Sequence, residues 1–510
     1  VRSTGGDVTL KAAQGIALVA GVELDTSATV SLDAQAGALT MAGTAAVNGS
    51  SVRLHAATDV VLGQVSGTGV SVVAGGDVLS ATGSTVNVSG GSLRLQAAGG
   101  AGTAGRHLTT AVDVLSADVG GSLFLSEADG LAVDTVAVSV TELEADGTTT
   151  LVIDAAQSDL NVGGDLVLRT AAGALTLNDG ADADGVAVSA AGGVLLQAGG
   201  LGSDLLVNAG VRSTVGDLAL KAGDAVVLAA GVTVSTNATV SLDAQTVTMA
   251  GTAAVNGSSV RLHAATDVVL GQVSGTGVSV VAGGDVLSAT GSTVNVSGGS
   301  LRLQAAGGAG TASRHLTTAM DVLSADIGAS LFLSEADGLA VDTVAVGVTE
   351  LEADSTTTLV SDAAQSDLNV GGDLVLRTAA GALALNDGAD ADGVAVSAVG
   401  RVLLGAGGEL LVNAGVRSTG GDLALKAADV LVLAAGVTVS TSATVSLDAQ
   451  AVTMAGTAAV NGGSVRLQAA TDVVLGNVSG TGVSVVAGGA ILNAEGSTVN
   501  VSGGSLRLQA

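Results

Sequence analysis

Length, composition and charge set the first limits on this chain. It has 510 residues, a formal net charge of −29, no cysteine and no proline, and its Phe, Trp and Tyr residues amount to two phenylalanines. The lack of cysteine argues against a disulfide scaffold, a thiolate metal site and thiol redox chemistry. Since the chain has neither a basic stripe nor aromatic stacking platforms, we expect no nucleic-acid partner. Glycine or polar residues interrupt every apolar run before eighteen residues, so we also expect no membrane insertion.

The chain repeats itself over a long interval. Its opening VRSTGGDVTLKA returns as VRSTVGDLALKA from Val211 and as VRSTGGDLALKA from Val416, and residues 42–104 recur unchanged at 250–312. We therefore distinguish copy 1 (residues 1–210), copy 2 (211–415) and an incomplete copy 3 (416–510), and interpret them as one continuous excerpt of a longer protein. Such self-similarity is typical of architectures in which each unit buries its apolar face against its neighbours.

Short strands follow one another inside each copy. The first are DVTLKA at Asp7, TVSLDA at Thr29 and SVRLHA at Ser51, and SLRLQA at Ser92 and DLVLRT at Asp165 come later. Apolar and polar residues alternate in them, which predicts strands with one buried face. The segments between them contain GG, GD, NG, SG and DG, which are turn formers.

The interval between strands distinguishes two geometries. Val8, Val30 and Val52 recur at intervals of 22 residues, whereas an antiparallel meander with tight hairpins would place a strand about every ten residues. An interval of about 20–22 residues instead fits one turn of a solenoid that carries two or three short strands. With paired strands ~4.8 Å apart, we predict an all-β parallel β-helix of roughly 23 turns that forms an elongated rod with an aliphatic core.

Two runs carry a resemblance to a known family. VRSTGGDVTLKAAQGIALVAG, which opens the chain, and NGGSVRLQAATDVVLGNVSGTGVSVVAGG in copy 3 resemble the repeat region of filamentous-haemagglutinin-like bacterial exoproteins, many of which are exported by two-partner secretion. The resemblance covers essentially the whole chain. It implies a right-handed parallel β-helix, an extracellular or cell-surface location, and a stalk that presents adhesive or toxic tips or packs into surface fibres.

Two identical acidic loops are the strongest metal candidates in the sequence. NDGADADG occupies residues 178–185 and again 386–393, and loops rich in oxygen donors and glycine suit calcium. The EF-hand pattern, however, would need an acid at Gly180 and a glutamate at Ala191. We therefore interpret the loops as solvated turns, predict no cofactor and no metal ligand, and keep calcium as the alternative. The carboxylates concerned are Asp179, Asp182, Asp184, Asp387, Asp390 and Asp392.

The histidines do not form a pattern typical of a metal site. His55 and its copy-2 equivalent His263 occupy an outward polar position that carries Gln468 in copy 3. His107 and His315 follow a glycine-rich segment, and neither has a second histidine at the spacing of a zinc site. We interpret all four as structural or solvent-facing residues.

Catalysis is considered because some parallel β-helices act on polysaccharides. Such a site needs a cleft in which Asp and Lys or Arg converge, whereas Arg94, Arg302 and Arg507 recur at the outward position of SLRLQA. We predict no enzymatic activity and no catalytic residues.

Two further patterns are interpreted as structural. The acidic stretch SEADGLAVDTVAVSVTELEAD, which begins at Ser126, has dispersed carboxylates and is interpreted as surface. Asn87 lies at a turn, where its side-chain amide is expected to form hydrogen bonds with the turns above and below.

The sequence thus favours a structural protein of the bacterial surface. The expected function is an adhesin stalk or a self-assembling extracellular filament whose partners are other copies of itself, associated end to end or laterally, and a host or neighbouring cell surface. The alternative is an adhesin whose rod face binds glycans or calcium directly. That alternative requires rows of outward side chains kept in register over consecutive turns.

Overall fold

The computed structural model describes all 510 residues, and its regular elements are β-strands. It contains no helix with the length and apolar character needed to cross a membrane. The strands β1 to β22 lie in copy 1: Val8–Ala12, Ile16–Leu18, Glu23–Asp25, Thr29–Ala34, Leu39–Met41, Ala46–Asn48, Ser51–Ala56, Val60–Leu62, Gln64–Ala74, Val78–Ser80, Val88–Ala97, Leu108–Val119, Leu123–Glu127, Leu131–Val133, Val136–Leu143, Thr149–Gln157, Leu160–Val162, Leu166–Thr170, Leu175–Leu177, Val186–Ala190, Val194–Ala198 and Leu205–Val207.

The remaining strands follow the same order. The strands β23 to β45 are Gly210–Ser213, Leu218–Ala222, Ala225–Leu228, Thr233–Ser235, Thr239–Ala244, Thr246–Met249, Ala254–Asn256, Ser259–Ala264, Val268–Leu270, Gln272–Ala282, Val286–Ser288, Val296–Ala305, Leu316–Ile327, Leu331–Glu335, Leu339–Val341, Gly347–Leu351, Thr357–Ser361, Leu368–Val370, Leu374–Thr378, Leu383–Leu385, Val394–Ala398, Val402–Ala406 and Leu410–Val412. The strands β46 to β57 are Gly415–Ser418, Leu423–Ala427, Val430–Leu433, Thr438–Ser440, Thr444–Ala449, Ala451–Met454, Ala459–Asn461, Ser464–Ala469, Val473–Leu475, Asn477–Ala487, Ile491–Asn493 and Val501–Gln509.

The first turns show how the solenoid is built. Strand β1 pairs in parallel with β4 and β4 with β7, so that Val8, Val30 and Val52 lie on successive rungs. Strands β2, β5 and β8 form a second parallel ladder, and β3, β6 and β9 form a third. Each turn therefore contributes three short strands. The predicted parallel β-solenoid is confirmed, and its number of turns, about 23, agrees with the expected number.

The core is aliphatic because the inward residue of each rung repeats. Val30, Leu32, Val52 and Leu54 are fully buried, and Val30 and Leu32 lie directly beside Val52 and Leu54 on the neighbouring strand. Burying each such side chain contributes about 1.5–3 kcal/mol. Because the next turn offers nearly the same side chains, stability accumulates from turn to turn.

The contacts divide the chain into two compact units. The first comprises residues 1–247, 253–258 and 348–360, and the second comprises residues 248–252, 259–347 and 361–510. Both contain parallel ladders of the kind just described. In the second unit, for example, β44 pairs with β47 and β50 with β53, again in parallel register.

Each full copy also contains an antiparallel element that the sequence pattern did not predict. In copy 1, β15 (Val136–Leu143) pairs antiparallel with β16 (Thr149–Gln157), and we call this pair the first hairpin. In copy 2, β38 (Gly347–Leu351) and β39 (Thr357–Ser361) form the second hairpin. Strand β15 lies against β1, β4, β7, β9, β11 and β12, so the first hairpin crosses six successive turns.

Candidate functional site

One group of carboxylates converges in each full copy. In copy 1 it consists of Asp159, Asp182 and Asp184, each of which offers a carboxylate oxygen within 4.8 Å of the other two. Asp159 immediately precedes β17, whereas Asp182 and Asp184 lie in the acidic loop before β20. Strands β17 and β20 are paired, with Leu160 beside Val188. This pairing brings the two segments together.

Asp159 is the buried member of the group. It is only 4% exposed, its Oδ1 has no hydrogen-bond partner, and its backbone adopts φ = 64°. Asp182 and Asp184 are exposed. Burial, followed by the neighbouring carboxylates of Asp182, Asp184 and Asp179, raises the pKa of Asp159 to about 7. Charge at this position is therefore unfavourable unless a proton or a cation neutralises it.

Copy 2 reproduces the arrangement. Asp367, Asp390 and Asp392 converge within the same distance. Asp367 is 3% exposed, has φ = 64° and also has an Oδ1 without a partner. Burial and the carboxylates of Asp390, Asp392 and Asp387 raise its pKa to about 7. The structure thus presents the same group twice in one chain.

Two of the three acids considered in each loop belong to this group, and the third has another contact. Asp179 Oδ1 accepts a hydrogen bond from the backbone N–H of Gly185 at 2.6 Å, and Asp387 accepts the equivalent bond from Gly393. The sequence interpretation missed the buried members, Asp159 and Asp367. The segment AAQSDLNVGGD recurs around both, but its pattern does not reveal that it pairs with the strand after the acidic loop.

The first hairpin is held to the solenoid by buried polar contacts. Glu142 Oε2 lies 2.7 Å from Lys11 Nζ, and Ser31 Oγ donates to Glu142 Oε1 at 2.7 Å. Burial raises the pKa of Glu142, but the bonds from Lys11 and Ser31 outweigh that effect and leave it lowered. Asp154, on the other strand, lies 3.1 Å from Arg53. Charged groups of the hairpin and the ladder thus neutralise one another.

The acidic stretch that starts at Ser126 is therefore not simply surface, which corrects the sequence interpretation. Glu127 is 1% exposed and Glu142 is 5% exposed. Glu127 accepts hydrogen bonds from Thr110 Oγ1 at 2.6 Å and from the backbone N–H of Ala128 at 2.8 Å. Burial raises the pKa of Glu127, although these bonds oppose the rise. The sequence alone does not show which element covers a strand. Carboxylates dispersed along a strand are therefore interpreted as solvent-exposed even where another element buries them.

The recurring arginines occupy the expected outward position, but two of the three are buried. Arg94 and Arg302 are each 6% exposed, whereas Arg507 is exposed. Arg94 Nε donates to the carbonyl of Ala155 in the first hairpin at 2.8 Å, and Arg302 Nε makes the same bond to Ala363. The side chains do point away from the core, but the hairpin segments cover them.

The histidines His55 and His107 contact neighbouring polar side chains. His55 Nδ1 lies 2.7 Å from Asp33 Oδ1 on the preceding rung. His107 Nδ1 lies 2.9 Å from Ser126 Oγ, and its ring packs 5.7 Å from that of Phe124. Burial lowers the pKa of His107, which favours the neutral ring at neutral pH.

Asn87 occupies the position that the sequence predicted. It is fully buried, and its Nδ2 donates to the carbonyl of Leu62 at 2.9 Å while its Oδ1 accepts from the backbone N–H of Thr109 at 2.9 Å. The amide therefore joins the preceding turn to the following one. Asn295 and Asn500 repeat the bond to the preceding turn in copies 2 and 3.

No family model, curated protein or solved structure matches this chain. We therefore compare equivalent positions of copy 1 and copy 2 with each other. In copy 1, four outward residues on successive rungs form an apolar stripe, and Leu351 of the second hairpin covers it. The four residues and Leu351 are each at most 6% exposed. The four are Phe124, Val167, Leu195 and Ala219.

The equivalent stripe of copy 2 is open. Its members are less buried than those of copy 1 and line a cavity of about 330 Å³. They are Phe332, Val375, Leu403 and Ala424. Arg401 lies beside this stripe, paired with Asp373 at 2.6 Å, where copy 1 has Gly193 packed under Leu351. The two stripes thus share apolar residues but differ in what covers them.

Proposed function

We propose that this protein is a structural β-solenoid of the bacterial cell surface that acts as an adhesin stalk or as the subunit of a self-assembling extracellular filament. The observation that carries the proposal is the register of the ladders. Residues such as Val8, Val30 and Val52 take equivalent places on consecutive rungs. A fold of this kind gains length by adding turns, and none of its turns depends on a unique pocket.

The hairpins support a mechanical function. The first hairpin crosses six turns, and its contacts with Lys11, Arg53 and Arg94 fix it to three different strands. A hairpin that crosses several turns resists their separation, because these turns must lose their contacts with the hairpin at the same time. Stability against pulling or local opening is the property that a stalk or fibre requires.

The acidic surface and the sequence resemblance support the location. A net charge of −29 keeps long chains apart in solution and disfavours nucleic acid. The resemblance to filamentous-haemagglutinin-like exoproteins favours presentation outside the cell. Association with other copies, and contact with a host or neighbouring cell surface, are parts of the same proposal, and catalysis is not.

Electron microscopy of native material tests the proposal. Intact cells and the shed fraction are imaged after labelling with antibody against residues 42–104, and a strain that lacks the protein serves as the control. We expect labelled fibres or stalks at the cell surface, and protease treatment of intact cells should remove the label. Label confined to the cell interior, or purified protein that forms only globular particles, would contradict the proposal.

A further inference from the structure

We infer that each full copy binds one calcium ion, held by Asp159, Asp182 and Asp184 in copy 1 and by Asp367, Asp390 and Asp392 in copy 2. This inference is independent of the structural function proposed above. It rests on the convergence of three carboxylates from two chain segments and on a buried oxygen that the protein itself leaves without a partner.

The distances suit a single ion. Calcium binds oxygen at about 2.3–2.6 Å, so two oxygens on opposite sides of one ion lie about 4.6–5.2 Å apart. The three carboxylate oxygens lie within 4.8 Å of one another. One ion can therefore contact all three carboxylates.

The buried carboxylate distinguishes this group from ordinary acidic loops. Asp159 is 4% exposed, and its Oδ1 has no hydrogen-bond partner. The charged groups that act on it are carboxylates, namely Asp182, Asp184 and Asp179. A buried acceptor without a donor, surrounded by like charge, is costly in the folded chain. A bound cation would both coordinate the unpartnered oxygen of Asp159 and neutralise the repulsion among the carboxylates.

The donor set selects the class of cation. Three carboxylates without histidine or cysteine form a hard oxygen site, which excludes a preference for zinc or copper. Asp182 and Asp184 are exposed, so water can complete the six to eight ligands, a number typical of calcium. Magnesium demands a tighter octahedron and loses its water reluctantly. The site thus favours calcium over magnesium.

The position indicates what the ion does. It joins the acidic loop to Asp159, next to strand β17, which itself pairs with β20 after the loop. Binding would therefore fix the loop against the coil and stabilise the turn. In the absence of the ion, protonation of Asp159 relieves part of the same repulsion, so the test must separate ion binding from protonation.

Calorimetric titration of the full chain with calcium chloride, at pH 7.5 after chelator treatment, tests the inference. We expect two bound ions per chain, one in the Asp159→Asn variant and none in the Asp159→Asn/Asp367→Asn double variant. The exposed Asp113→Asn variant is the matched control and should keep two. Calcium should also raise the Tm of the wild-type chain, and magnesium should bind at least ten-fold more weakly.

The exposed Asp182→Asn variant guards against misfolding, because an exposed carboxylate can be replaced without disturbing the core. It should weaken calcium binding at one of the two sites by at least ten-fold. Absence of saturable heat and of a calcium-dependent Tm shift in the wild-type chain would overturn the inference. Two ions bound by the double variant, or equal affinity for magnesium, would overturn it as well. None of these outcomes bears on whether the protein forms surface fibres.

Discussion

Arg53 and Asp154 form an ion pair between the parallel ladder and the first hairpin. Arg53 Nε lies 3.1 Å from both carboxylate oxygens of Asp154, and the two side chains are only 13% and 11% exposed. Arg261 and Asp362 repeat the contact in copy 2 at 3.2 Å. The pair shows how an outward position of a repeating strand becomes a buried one when a hairpin covers it.

Removing the carboxylate should loosen the first hairpin. The Asp154→Ala variant leaves the poorly solvated Arg53 with only the longer contact of its Nη1 to Glu142 Oε1 at 4.0 Å, so we expect a loss of about 2–3 kcal/mol in local stability. Hydrogen exchange measures it directly, since backbone amides of β15 and β16 should exchange roughly 30–160-fold faster. The second hairpin, with Arg261 and Asp362 intact, is the internal control and should not change. Equal protection of the first hairpin in the variant and the wild-type chain would mean that the ion pair does not hold it.

Replacing Asn87 with aspartate is expected to destabilise the folded chain. Its Nδ2 donates to the carbonyls of Leu62 and Gly63, and a carboxylate oxygen there would face two acceptors in a buried position. We expect Asn87→Asp to cost about 2–3 kcal/mol at pH 7, with recovery as the pH falls toward about 4, because the buried carboxyl group regains a proton to donate at a higher pH than it does in the unfolded chain. Exchange of the Thr109 amide and thermal melting report the change. The exposed Asn161→Asp variant is the control, and an Asn87→Asp chain as stable as that control at pH 7 would refute the expectation.

Much of the fold could be predicted because it is local and repeated. The 22-residue interval placed Val8, Val30 and Val52 on one ladder, and alternation assigned their buried face. The hairpins could not be predicted in the same way, since β15 and β16 pair antiparallel with each other and lie across ladder strands that are distant in sequence, such as β1 and β4. For that reason, neither the burial of Glu142 nor that of the outward Arg94 could be predicted.

Only the loop members of the carboxylate group could be identified from the sequence. Asp182 and Asp184 stand out in a short acidic loop, whereas Asp159 looks like an ordinary strand-end residue. Its burial follows from a loop that separates two paired strands, β17 and β20, by more than the usual interval. Sequence spacing does not reveal which earlier residue such a loop folds back to meet.

Glu127 should give the solenoid a local pH dependence. Because burial raises its pKa above the ordinary value of 4.5, the folded chain keeps this proton to a higher pH than the unfolded chain does. Local stability should therefore fall as pH rises from about 4.5 through the folded pKa, by at most about 1.4 kcal/mol for each pH unit. The amide of Val112, which donates to Glu127, reports it by hydrogen exchange. Glu127→Gln should remove this slope and the exposed Glu409→Gln should keep it; an unchanged slope in Glu127→Gln would assign the pH dependence to another group.

The covered and open apolar stripes should differ in the accessibility of equivalent residues. The chain has no cysteine, so Leu195→Cys and Leu403→Cys each introduce a single thiol at matched positions of copies 1 and 2. Leu195 is 2% exposed beneath Leu351, whereas Leu403 lines an open cavity. We expect a maleimide to label the Leu403→Cys variant roughly ten-fold faster or more, because the thiol of the Leu195→Cys variant must wait for local opening. Adding Leu351→Asp should accelerate labelling of the Leu195→Cys variant and leave that of the Leu403→Cys variant unchanged. Equal rates for the two single variants would show that the second hairpin does not close the stripe in solution, because the residues beneath it are otherwise equivalent.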